Sequence, residues 1–125
     1  MSTQKKPGVV IFTGDHKRLA KFYEVVTGFT LTYEDDEISI VASDEIELII
    51  HVLRHEPQIT QPVKAREATY FKPFFQVASL AETRERAAAF GGKLKPASAE
   101  WSARDFRACE AIDPDGNVIQ FRESI

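Results

Sequence analysis

The feature that most constrains this chain is an internal repeat. Val10-Ile11-Phe12-Thr13-Gly14-Asp15 reads as an apolar strand running into a helix cap, and Phe74-Phe75-Gln76-Val77-Ala78-Ser79 reads the same way. A helical pattern follows each run, with Leu19, Phe22, Tyr23 and Val26 in the first and Leu80, Thr83, Ala87 and Phe90 in the second. The first stops at Gly28 and the second at Gly91-Gly92, so caps and stops share one offset (79 − 15 = 64; 92 − 28 = 64). A duplicated strand-helix unit predicts two half-modules packed about a pseudo-axis. The cleft between them is the expected place for a function.

Each unit has its own local chemistry. Asp15 and Ser79 are N-caps, because their side-chain oxygens accept the free N–H groups of a first helical turn. Gly28 supplies the left-handed residue that ends a helix. The alternation predicts strands over residues 9–13, 29–33, 38–42, 45–53, 71–78, 93–97, 104–112 and 118–123, with the second helix running through Phe90 and its charges Glu82, Arg84, Glu85 and Arg86 facing solvent. Asp113-Pro114-Asp115-Gly116-Asn117 is a tight turn. The pattern is βαβββ twice: an α+β domain of curved mixed sheets forming a cleft. Module one spans about residues 8–54 and module two about 70–123. Between them, about residues 55–69 read as a linker, with Pro57 and Pro62 and no clear period, and as a possible lid.

Composition narrows the class. The chain has 125 residues, 43% hydrophobic and 28% charged, enough to bury one core. The net charge is −3 with both signs interspersed, so a nucleic-acid partner is not expected. The lone Cys109 excludes an intrachain disulfide and fits a reducing compartment. The polar opening run has no signal-peptide core and no stretch is long enough to cross a bilayer, which predicts a cytoplasmic protein without a membrane partner.

Two motifs carry a resemblance. Asp15…Phe22-Tyr23…Gly28-Phe29, together with Asp113-Pro114-Asp115-Gly116-Asn117-Val118-Ile119-Gln120-Phe121, resembles the vicinal oxygen chelate superfamily of glyoxalases, bleomycin-resistance proteins, fosfomycin-resistance enzymes and extradiol dioxygenases. The resemblance covers nearly the whole chain. It implies paired modules around a cleft and a homodimer, and leaves the chemistry open, since one fold serves many sites. In enzymes of the group a divalent metal is held by His and Glu from four strand positions. Here the resemblance maps them to Gly8, Glu47, a position at or near Lys72, and Gln120. One good ligand in four predicts no metal and no other cofactor, and without a Lewis acid the group's metal-driven reactions are not expected.

Alternation extends the cleft faces from those four positions. Phe12 lies with Gly8; Glu45, Glu47, Ile49 and His51 share a face; Phe74 and Gln76 lie with Lys72; Arg122 lies with Gln120. Trp101 sits in a loop before the seventh strand. Phe12, Glu47, Ile49, His51, Lys72, Phe74, Gln76, Trp101, Gln120 and Arg122 are therefore the candidate ligand-binding residues, an aromatic wall with polar anchors. Each has a plainer reading. Glu47 and Lys72 pair with each other, Trp101 plugs a rim or a dimer seam, and His16 and His55 are surface residues. Cys109 is a buried small hydrophobe. Glu47 and His51 are the only catalytic candidates, by acid–base chemistry, and His51 has no partner placed by sequence. The reading favoured is a metal-free binding protein resembling bleomycin-resistance proteins, holding an aromatic or drug-like small molecule. The alternative is a glyoxalase-like lyase or isomerase, or a dioxygenase-type enzyme, with atypical ligands or His51/Glu47 chemistry.

Overall fold

The computed structural model describes residues 5–53, 63–67 and 69–125. Module one runs β1 (Gly8–Thr13), α1 (His16–Thr27), β2 (Thr30–Glu34), β3 (Ile38–Ala42) and β4 (Glu47–Val52). Module two runs β5 (Phe74–Gln76), α2 (Leu80–Ala89), β6 (Lys93–Leu94), β7 (Trp101–Ala103), β8 (Phe106–Ile112) and β9 (Val118–Ser124). The two sheets have matching orders, β1-β4-β3-β2 and β5-β9-β8-β6, with β7 paired to β8. In each, the first strand lies parallel to the last and the remaining pairs are antiparallel. The repeat is thus a repeat of topology.

Both predicted caps form. The Asp15 carboxylate accepts from the Arg18 N–H at 3.2 Å, and Ser79 Oγ accepts from the Glu82 N–H at 3.1 Å. Gly28 ends α1 at φ 77°, where its N–H donates to the Glu24 carbonyl. One shared core lies between the sheets and the helices: Leu19, Phe22, Tyr23 and Val26 of α1 and Leu48 and Ile50 of β4 meet Leu80 and Ala87 of α2 and Ile119 and Phe121 of β9. Phe75 sits at the junction, its ring 5.7 Å from Tyr23 and 6.0 Å from both Phe29 and Phe121. Among the described residues, no helix is long and apolar enough to cross a membrane.

Several expectations are corrected. Module two has an extra strand, because Trp101 opens β7 instead of preceding a strand in a loop, and a two-residue turn at Arg104-Asp105 returns the chain to β8. Arg104 takes φ 51° there, a left-handed conformation costly for a side chain with a β-carbon. β4 begins at Glu47, and Glu45 lies in the turn before it, its N–H donating to Ser43 Oγ. β5 is three residues instead of eight. His16 is buried, not exposed, with Nε2 2.8 Å from the Asp35 carbonyl. Arg84 turns inward instead of facing solvent, pairing with Glu100 at 2.5 Å.

Candidate functional site

Burial divides each sheet into a core face and an outer face. On sheet two, Phe75, Cys109, Ala111, Ile119 and Phe121 point to the core. Phe74, Phe106, Ala108, Glu110, Gln120 and Arg122 alternate with them on the other side. Register places Phe74 opposite Gln120, Glu110 opposite Gln120 on the other edge, and Ala108 between Trp101 and Arg122. The Arg122 guanidinium lies 3.7 Å from the Phe74 ring centroid and 4.2 Å from that of Phe106. Its Nε donates to Gln120 Oε1 at 2.6 Å. Two rings and one amide therefore fix a cation in place, on the same face as Trp101 two strands away, which is 40% exposed. Gln76 lies at the strand end, where its Nε2 donates to Ser124 Oγ.

Lys72 does not pair with Glu47. Its ammonium donates to Glu110, which also takes Lys95 Nζ at 3.3 Å. That Lys72 hydrogen bond, before any other cause, holds the Glu110 carboxyl below the ordinary glutamate range. These three residues line a groove of about 610 Å³, together with Leu94, Ile112 and Val118.

Sheet one presents Phe12, Glu47, Ile49 and His51 on its outer face, with Leu48 and Ile50 turned inward. The Phe12 and His51 rings are 5.8 Å apart. His51 Nδ1 donates to the Val52 carbonyl at 2.8 Å. A carbonyl only accepts, so Nδ1 carries a proton, and Nε2 has no hydrogen-bond partner among the described residues. Phe12 lines a second groove of about 490 Å³ with Val10, Phe71, Pro73 and Val118. Val118 and Thr69 border both grooves, which makes them neighbours along the module seam.

The seam itself is closed by the Asp113–Asn117 turn. Asp113 is fully buried; its Oδ2 accepts from Tyr23 Oη at 2.6 Å and Asn117 Nδ2 at 2.8 Å, and its Oδ1 from the N–H groups of Asp115 and Asn117. Thr13 Oγ1 donates to Asp115 Oδ2 at 2.6 Å. Burial pushes the Asp113 carboxyl above the ordinary aspartate range, against the pull of Tyr23 and Asn117. Residues 63–67 lie along the turn, with the Arg66 N–H donating to the Gly116 carbonyl and its Nε to the Asp115 carbonyl.

A glyoxalase-like domain model matches residues 8–121. The chain belongs to the glyoxalase-like domain family. None of the curated proteins matches it. Solved structures share the fold at low identity. A glyoxalase/bleomycin resistance protein/dioxygenase family enzyme from Burkholderia phytofirmans PsJN is 18% identical, covers 94% of this chain and 97% of its own, and has a TM-score of 0.68. The fosfomycin resistance protein FosX from Mesorhizobium loti is 16% identical over 100% of this chain and 95% of its own, at 0.66. A bleomycin resistance determinant encoded on the transposon Tn5 is 16% identical over 97% and 98%, at 0.58.

The four positions at which this glyoxalase-like domain would hold a metal do not fit one. Gly8 pairs with Glu47, and a β-carbon placed on it would overlap the Glu47 carbonyl oxygen, so position 8 is closed to any side chain on this backbone. Lys72 is occupied by Glu110, and the residue in register with Gln120 is Phe74, not Lys72. The Gln120 oxygen is taken by Arg122. No group of three or more His, Cys, Asp or Glu side chains able to hold a metal occurs among the described residues. Gly8→His is accordingly expected to lower the thermal midpoint and to leave zinc binding undetectable by calorimetry. Micromolar zinc affinity in that variant would refute the geometry.

Of the residues expected from sequence, Phe74, Gln120 and Arg122 come together, Trp101 shares their face two strands from Arg122, Lys72 lines the adjoining groove, and Phe12 and His51 meet on sheet one. Glu47 makes no ion pair among the described residues, and His55, Pro57 and Pro62 lie outside them. Cys109 is the buried small hydrophobe expected, and burial pushes its thiol up. Sequence reasoning missed Glu110, Phe106 and the Tyr23–Asp113 pair. Alternation along residues 106–112 was the available signal for the first two. Nothing in sequence spacing marks a contact between residues 90 positions apart.

Proposed function

We propose that this glyoxalase-like domain is a metal-free binding protein for a small aromatic or drug-like molecule, held on the outer face of sheet two and in the grooves beside it. The observation that carries the reading is the combination of exposed rings and a fixed cation: Phe74 is 56% exposed and Trp101 40% exposed, on either side of Arg122. Aromatic surface with a few fixed polar groups on one face is the make-up of a small-molecule site. Similarity in fold to a bleomycin resistance determinant supports a ligand of that drug-like kind. Exposed Val9, Val10, Phe12 and Phe71 support a second copy of the chain as the macromolecular partner.

The enzymatic alternative finds less support. Among the described residues His51 has no carboxylate or thiol in hydrogen-bond reach, and its Nδ1 proton is engaged by a main-chain carbonyl.

Trp101 is the only tryptophan, so its fluorescence reports on this face alone. Titration with a panel of planar aromatic drugs and metabolites is expected to quench or shift its emission saturably, with the same affinity before and after treatment with a chelator. No response across the panel refutes the ligand reading, and a chelator-sensitive response refutes its metal-free character.

A further inference from the structure

Two guanidiniums share one ring at the Arg122 stack. Phe106 carries a second guanidinium, that of Arg104, 5.0 Å from its centroid. The glutamates around it are committed elsewhere, and Asp105, beside Arg104 in the turn, makes no ion pair among the described residues. Glu100 takes Arg84 and Arg107, Glu110 takes Lys72 and Lys95, and Glu123 accepts the Leu80 N–H at 2.8 Å. Among the described residues neither Arg104 nor Arg122 has an ion-pair partner. The protein is acidic, and yet it holds two guanidiniums without an ion pair against one phenylalanine ring.

Geometry makes one of them a receptor. Nε of Arg122 is bound to Gln120, and the Phe74 and Phe106 rings pack against the guanidinium. The Nη end is left to donate in the plane of the group, the arrangement that matches two oxygens of a carboxylate or phosphoryl group. Because the rings and the amide already restrict the side chain, little freedom is lost when an anion docks. Arg104, held at a left-handed backbone angle in the β7–β8 turn, places a second charge at the same ring.

We infer that Arg122, assisted by Arg104, is the recognition point for an oxyanion on the ligand, so that the molecule bound is an aromatic carboxylate or phosphoryl compound whose ring lies toward Trp101 and Phe74. The inference rests on the ligand reading given above and narrows it: a strongly cationic drug is excluded from this face by like charge.

Calorimetric titration of the full chain with benzoate, phenyl phosphate and the neutral isostere benzamide tests it, with the Trp101 indole resonance as the reporter of location. Either anion is expected to bind at least tenfold more tightly than benzamide, the advantage shrinking as salt is raised. The better anion identifies the group, carboxylate or phosphoryl. Arg122→Met is expected to bring the anions within about threefold of benzamide. Arg104→Met, in an exposed turn away from the core, is expected to reduce the preference by a smaller factor, and it serves should the first variant not fold. Equal binding of benzamide and the anions, or an anion preference that survives both substitutions, overturns the oxyanion inference and leaves the ligand face standing. No indole shift with any probe overturns both.

Discussion

Asp113→Ala is expected to destabilise the chain by about 3–5 kcal/mol, as breaking one side of a buried polar network does. The carboxyl is fully buried and accepts from four donors, two of them main-chain N–H groups of its own turn. Removing it leaves the Tyr23 hydroxyl without an acceptor inside the core. For a domain of this size the loss corresponds to a fall in thermal midpoint on the order of 10 °C. Tyr23→Phe removes one donor and keeps the other three, so it should cost less, about 1–2 kcal/mol. Because both act on one contact, the double variant should cost less than the two singles added. Chemical denaturation of the four proteins checks this. An Asp113→Ala cost below 1 kcal/mol would mean that the turn is not what holds the modules.

Phe75→Ala is the second large effect, expected at about 3–5 kcal/mol from lost burial and the cavity left behind. The ring touches α1 through Tyr23, the start of β2 through Phe29, and β9 through Phe121. No one element can move in to fill its place without leaving the others. Phe74→Ala is the informative contrast, since its neighbour on the strand points outward and packs on a guanidinium; that change should cost far less in stability. A pair of equal losses in a thermal melt would show that the two faces of β5 have been assigned wrongly.

Much of the architecture was legible because it rests on local chemistry. Asp15, Ser79 and Gly28 mark helix ends by what their own atoms do, and the 3.6-residue spacing of Leu19, Phe22, Tyr23 and Val26 fixes one buried face. The β7–β8 hairpin was not legible: Pro96-Ala97-Ser98-Ala99-Glu100 shows no alternation, and a turn at Arg104-Asp105 lacks the glycine or asparagine that usually announces one. Pairings across strands were harder still. Lys72 is joined to Glu110 and not to Glu47 because register decides partners, and register is set by the whole sheet. The outer face of sheet two emerged in part, through Phe74, Gln120 and Arg122, while Phe106 and Glu110 went unread although they alternate along β8 onto that same face.

The close approach of the first strand to the fourth at Gly8 has a bearing on how such a chain can change. A domain that lacks a metal only for want of one histidine is a single mutation from acquiring it. This one would first have to widen a strand pairing, and every intermediate along that route carries the strain without the ion that would repay it. Glycine at position 8 is thus kept by the spacing of the main chain more than by the choice of side chain.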